Sequence, residues 1–240
     1  MKRACLALTL AVTCTAAQAD FIGIYAGAGT WNADFSGDVI SNVSLDSDLN
    51  LTGTNANHFY AAFEHPIPLI PNIRVARTAI DDSGTGALTS SFTFAGQTFT
   101  ASQPVNSKLD LTHTDITLYY ELVDIGFDLD VGITGRVFDG EVVVNTARED
   151  LEGTLPMLYA RTKIGLPFTG TYVNASINTI GSRHSDYTLA IGWETENFIL
   201  PEFGIEAGYR NLSVDLDESD VDVVVDAKLD GVFINLTAHF

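Results

Sequence analysis

His113 and Asp115 are the residues most suited to acid–base chemistry. They stand two apart, so in a strand they share a face, and a Ser from a neighbouring strand would complete a nucleophile–base–acid set. His184, Ser185 and Asp186 are consecutive. Neighbours in a strand point to opposite faces, so these three cannot form a triad among themselves. No Gly-x-Ser-x-Gly elbow and no His cluster at metal-ligand spacing accompanies them. The expectation is a protein that is not an enzyme and carries no cofactor. Asp215, Asp217, Asp220 and Asp222 form the one run that could attract a hard cation, because clustered carboxylates suit divalent ions. The run lacks the Gly and the terminal Glu of an EF-hand loop, so solvated charge is the preferred reading and these four are weak metal candidates.

The elements that would position such residues are legible from charge and hydropathy. The chain has 240 residues, with 12 Lys+Arg against 31 Asp+Glu and a formal net charge of -19. So acidic a balance excludes nucleic acid as a partner, since phosphates require a basic surface. Yet 46% of the residues are hydrophobic and the mean hydropathy is +0.16. Charges and apolar residues must therefore be kept apart, in separate segments or by alternation along the chain.

The N-terminus is one such segment. Met1-Lys2-Arg3 is basic, Ala4 to Ala16 is apolar but for Thr, and Ala17-Gln18-Ala19 places small residues at the -3 and -1 positions of a signal-peptidase site. About 13 apolar residues fall short of the roughly 20 that span a bilayer as a helix. Residues 1–19 are thus expected to be a secretory signal peptide and 20–240 the mature domain. Both cysteines, Cys5 and Cys14, lie in the signal, so disulfides are excluded from the mature chain. Removing Lys2 and Arg3 from the 12 basic residues leaves 10 against 31 acidic ones, a net charge of -21.

In the mature chain the alternation has period two. Phe127, Leu129, Val131, Ile133 and Val137 interleave with Asp128, Asp130, Gly132, Thr134 and Arg136, and Phe203, Ile205, Ala207 and Tyr209 with Gly204, Glu206, Gly208 and Arg210. This is strand patterning. Ten strands are expected, at about 21–33, 57–65, 72–81, 109–123, 126–139, 155–166, 171–180, 184–195, 203–215 and 227–240. Short connections (65–71, 123–125, 167–170, 196–202) alternate with mostly long polar ones (34–56, 82–108, 140–154, 216–226), only 181–183 being tight. The fold class expected is all-β, a closed antiparallel up-and-down transmembrane barrel of ten strands, eight being the alternative count. A soluble secreted sandwich would also alternate, but it gives no reason for strands of 10–14 residues or for an ending on Phe240.

If the apolar phase faces lipid, the opposite phase lines the bore. Arg136, Arg161, Lys163 and Arg210 are the inward cations, with Glu121, Asp128, Asp130, Glu194 and Glu206, and also Glu64, as acidic partners. An unpaired charge there would cost several kcal/mol, so pairing is expected. Arg74 and Arg77 fall in opposite phases, and one must be a lumen residue, a bulge or a snorkelling edge residue. Tyr25, Trp31, Phe59, Tyr119, Tyr120, Tyr172, Tyr187, Trp193, Phe198, Phe203 and Phe240 lie near expected strand ends, where interfacial girdles would place several of them.

The ending Gly231-Val-Phe-Ile-Asn-Leu-Thr-Ala-His-Phe240 resembles the C-terminal β-signal of bacterial outer-membrane proteins, matching at Val232, Ile234, Leu236 and Phe240 and departing at Ala238, where an aromatic is commoner. With the Phe-Ile-Gly-Ile-Tyr-Ala-Gly-Ala-Gly opening at Phe21 to Gly29, the mature chain is similar to small gammaproteobacterial outer-membrane β-barrels of unassigned function. The resemblance implies export through the periplasm to the outer membrane of a Gram-negative cell envelope and insertion by the barrel assembly machinery. Outer-membrane lipid and lipopolysaccharide would be its surroundings, with long loops at the cell surface. The role expected is structural or in surface interaction, around a largely filled, charge-paired lumen. A narrow porin-like pore or small-ligand transport barrel is the alternative, and a lipid-modifying enzyme the second.

Overall fold

The computed structural model describes residues 22–40, 43–195, 201–216 and 224–240. The expected signal peptide, Phe198, Asp217, Asp220 and Asp222 lie outside the described residues. Among the described residues there is no helix, and the strands are β1 (Gly23–Val39), β2 (Val43–Ser44), β3 (Gly53–Glu64), β4 (Asn72–Ala79), β5 (Asp81–Ala87), β6 (Phe92–Phe94), β7 (Gln97–Phe99), β8 (Pro104–Asp110), β9 (His113–Asp124), β10 (Phe127–Val144), β11 (Ala147–Gly165), β12 (Thr171–Ile180), β13 (His184–Glu194), β14 (Glu202–Leu216) and β15 (Val225–His239).

Ten of these close into a barrel in the order β1-β3-β4-β9-β10-β11-β12-β13-β14-β15, every pair antiparallel. Closure is made by β15 against β1, from Tyr25↔His239 to Val39↔Val225, and locked where Ile24 and Phe240 exchange both backbone hydrogen bonds at 3.0 and 2.8 Å. No barrel strand is left with a free edge, which a lipid environment demands. The start of β1, the end of β15 and the short connections 65–71, 125–126 and 166–170 lie at one end, called here the terminal end. Gly126 turns the chain there between β9 and β10 at a φ of 81°, a conformation with no steric cost for glycine.

The strands outrun the membrane. β10 has 18 residues and β11 has 19, against the 9–11 of a tilted span. The excess forms a crown at the other end, where 34–56, 82–108 and 140–154 were expected to be long polar loops. That expectation is corrected. β1 continues to Val39, β10 and β11 continue until only residues 145 and 146 separate them, and β5 pairs with β8, which in turn pairs with the upper part of β10. The expected strands 72–81 and 109–123 are each broken near the same level, after Ala79 and after Asp110.

The physical reason is a change of phase. In the lower part of β15 the outward residues are Val232, Ile234 and Leu236, the last 66% exposed, while Asn235 and Thr237 point inward. Above Gly231 the pattern inverts. Asp226 and Lys228 face outward, and Val225, Ala227 and Leu229 are buried inside. β14 does the same at Arg210, with Phe203, Ile205, Ala207 and Tyr209 outward below and Leu212, Val214 and Leu216 inward above. β10 inverts between Val137 and Phe138. Lipid calls for apolar residues outside and water calls for them inside, so the inversion marks where the wall leaves the membrane. From Val232 to Phe240 the outward set spans eight steps of ~3.3 Å, roughly 20 Å of height at a tilt of about 40°.

The inverted phase builds a hydrophobic core inside the crown. Phe35, Val39, Val142, Val144, Leu151, Leu155, Leu212, Leu216, Val225 and Leu229 meet there with Ile80, Leu109 and Leu111. The segment 43–52 folds back into it, burying Val43, Leu45, Leu49 and Leu51. Each fully buried leucine contributes about 1.5–3 kcal/mol, so this is a folded layer and not a set of loops.

Candidate functional site: a layered lumen

Below the apolar crown, the inward phase becomes polar. Its first layer is a closed ion cluster. Arg136 on β10 is completely enclosed, and it donates from Nε and Nη2 to the two oxygens of Asp115 on β9, both at 2.7 Å. Nη2 also reaches Asp186 on β13 at 2.6 Å. Arg210 on β14 grips the same Asp186 through Nε at 2.9 Å and Nη2 at 2.6 Å, and lies over the ring of Trp31 on β1. Two guanidinium groups thus face two carboxylates, and the layer is neutral. His184 Nε2 adds a contact to Arg136 Nη1 at 3.1 Å, and His113 bonds the Leu111 carbonyl through Nδ1 at 2.9 Å.

The next layer surrounds a cavity of about 120 Å³ lined by Tyr25, Trp31, Tyr60, Tyr119, Tyr159 and Phe233 together with Arg74, Arg161, Glu64 and Glu206. Its carboxylates are engaged: Tyr119 donates to Glu64 at 2.6 Å, and the amides of Asn174 and Asn235 donate to Glu206 at 2.8 and 3.4 Å. Arg161 pairs with Asp130 at 3.4 Å and donates to Asn174 at 3.2 Å. Arg74 stacks on Tyr60, 4.2 Å from the ring centroid, with no hydrogen-bond or ion-pair partner among the described residues, and its Nε is buried. The Tyr60 ring itself lies across Gly27 of β1, where a Cβ would occupy the space of the ring.

A vestibule of about 250 Å³ adjoins this chamber toward the terminal end and shares Tyr25, Tyr60, Glu64, Arg161, Asn174 and Glu206 with it. Lys163 bonds both oxygens of Glu194 at 2.8 Å, and His239, stacked on Tyr25, approaches Glu202 at 3.5 Å. Glu121, Asp124 and Asp128 converge within 4.8 Å of one another, and none of their carboxylates has a hydrogen-bond or ion-pair partner among the described residues.

All ten lumen residues singled out from sequence line the bore or its mouth. Arg161 with Asp130 and Lys163 with Glu194 pair within the expected set, and the other partners differ. Arg136 and Arg210 choose Asp115 and Asp186, two residues weighed in the sequence only as acid–base candidates. Glu121 and Asp128 join each other and Asp124 instead of a cation, and Glu206 is held by amides. Asp115 and Asp186 carried a legible signal, since both belong to the phase opposite the apolar one. His113 and Asp115 do share the inner face, while Ser185 points away from His184 and Asp186.

Arg74 proves to be the lumen residue, and Arg77 lies on the outer wall at the level of the phase change, donating to Thr114 and Asp139 at 3.1 and 3.3 Å. Phe59, Tyr120, Tyr187, Trp193, Phe203 and Phe240 face outward, but Tyr25, Trp31, Tyr119 and Tyr172 are lumen residues. Of the acidic run, Asp215 stands on the crown exterior opposite Asp226, itself opposite Asp38. Val232, Ile234, Leu236 and Phe240 are exposed on the outer belt.

A closed, even-stranded antiparallel barrel with an apolar outer belt and a polar bore is a barrel of the outer-membrane type. No protein-family model matches the chain, and no curated protein matches it. Among solved structures, the crystal structure of the P. putida toluene transporter TodX is similar over 92% of this chain and 89% of that one, at 9% identity and a TM-score of 0.30. So distant a likeness carries neither substrate nor mechanism across.

Proposed function

We propose that the protein is an integral outer-membrane barrel of a Gram-negative cell envelope, exported through the periplasm and inserted by the barrel assembly machinery, that does not conduct. Its terminal end faces the periplasm and its crown stands among lipopolysaccharide at the cell surface, where its role is structural or in surface contact. It is not an enzyme. The observation that carries this reading is the apolar cluster of the upper bore, in which Leu45, Leu49 and Leu51 share a buried layer with Val142, Leu212 and Leu216 and so place apolar side chains where water would have to pass. The neutral cluster of Arg136, Arg210, Asp115 and Asp186 backs that layer from below. Single-channel recording in planar bilayers is expected to give a flat baseline. Stable conductance steps would replace this reading with the narrow-pore alternative, which the two connected lower cavities favour. Protease treatment of intact cells should cut within the crown and spare the short turns.

A further inference from the structure

The lumen has two unbalanced features, and they lie in adjoining spaces. Arg74 is the cation of the upper chamber that no carboxylate engages; one face of its guanidinium is covered by Tyr60 and its Nε is buried without an acceptor. A guanidinium stacked on an aromatic ring keeps its in-plane donors free, which is the presentation that recognises a planar carboxylate. The vestibule has the opposite excess: Glu121, Asp124 and Asp128 converge with no hydrogen bond or ion pair to their carboxylates among the described residues, and Lys163, the cross-strand neighbour of Asp128, is bonded to Glu194 instead. A simple anion heading for Arg74 would pass three carboxylates that no ion pair holds, and a simple cation that settled among them would leave Arg74 unanswered.

We propose that the lower lumen is a binding site for a small zwitterion, with the ligand's carboxylate on Arg74 in the chamber and its ammonium group directed to Glu121, Asp124 and Asp128 in the vestibule. The chamber volume of about 120 Å³ suits a short ligand, and the larger vestibule of about 250 Å³ leaves a hydrated approach from the terminal end. The site goes beyond the surface role and does not require the barrel to conduct, because entry and exit use the same end.

The test uses the refolded full-length barrel in detergent and a series of ω-amino acids from three to six carbons, with butyrate and butylamine as single-charge controls. Calorimetry is read beside the emission of Trp31, which lines the chamber, in a Trp193→Phe background that removes the outward-facing tryptophan. Saturable binding of at least one ω-amino acid is expected, at least tenfold tighter than either control. Arg74→Gln and the pair Glu121→Gln/Asp128→Asn should each weaken it at least tenfold while keeping the heat-modifiable gel migration of a folded barrel. The controls test the idea on the wild-type protein, whatever the variants do. No binding by any of the amino acids would overturn the proposal. So would butylamine binding as tightly as they do, which makes the site a cation site, or butyrate doing so, which makes it an anion site.

Discussion

Arg136 has no exposed surface, and the arrangement around it decides what its removal costs. Asp186 would keep Arg210, but Asp115 would lose both of its hydrogen bonds while remaining in the bore. Breaking a buried pair from one side costs about 3–5 kcal/mol, because a charge is left uncompensated. Arg136→Met is therefore expected to lower unfolding stability in urea by that amount, and Arg136→Met/Asp115→Asn to recover part of it. The exposed pair Arg77–Asp139 is a contrast. Its loss is expected to change stability by less than about 1 kcal/mol.

Asp48 in the crown offers a pH test. Its carboxylate accepts amide hydrogens from Ser44 at 2.9 Å and Thr89 at 2.7 Å, joining the inward-folded segment to the chain after β5. Burial pushes its pKa upward, but these amides outweigh burial and hold it below the usual 3.8. A depressed pKa contributes stability above the unfolded value of about 3.9, and that contribution is lost as pH falls through the folded value. Asp48→Ala is expected to cost about 2–3 kcal/mol at pH 7, with the gap from wild type constant down to about pH 5 and closing below about pH 4. Unfolding curves across pH 2–7 would check both parts.

At the scale of the element, β15 carries the clearest prediction, because a single strand contains both phases. Leu236 is central in its outward apolar set, so Leu236→Arg should cost about 2–4 kcal/mol of barrel stability in lipid. Lys228 is outward too, but above the inversion, and Lys228→Leu should shift stability by no more than about 0.5 kcal/mol. Inward, Leu229→Ala removes a fully buried side chain from the crown core at about 2–5 kcal/mol. Comparing the three variants by denaturant titration in vesicles would locate the membrane boundary on the strand. Equal costs for Leu236→Arg and Lys228→Leu would show that no boundary lies between them.

For the whole molecule, the proposed function requires a bore sealed by packing at the crown and reached from the terminal end. Replacing Leu45, Leu49 and Leu51 together with Ser removes the apolar contacts of the segment folded into the bore while leaving the barrel strands unchanged. Conductance steps are expected from this variant and not from wild type in the same bilayer recordings. A variant as silent as wild type would mean that the surrounding walls close the bore without the segment.

Strand number, antiparallel closure and the lipid-facing side of strands that alternate cleanly, such as β10, β14 and β15, were legible in the sequence, whereas β4 with Arg74 and Arg77 was not. They follow from period-two alternation and from loop lengths, which are local properties. The inward placement of the ten lumen charges came with them, because the phase of a strand fixes the face of every residue in it. The crown was hidden for a reason that belongs to the same rule. Its strands alternate as well, but with apolar residues on the inner face, so a reading keyed to one lipid-facing phase takes them for polar loops. Pairing was decided only by the closed fold. Arg136 meets Asp186 because closure curves β10 and β13 toward a common bore, and in the chamber that holds Arg74 the carboxylates of Glu64 and Glu206 are engaged by Tyr119 and two asparagine amides. Distances across a barrel are set by closure, and closure brings together residues far apart in the chain.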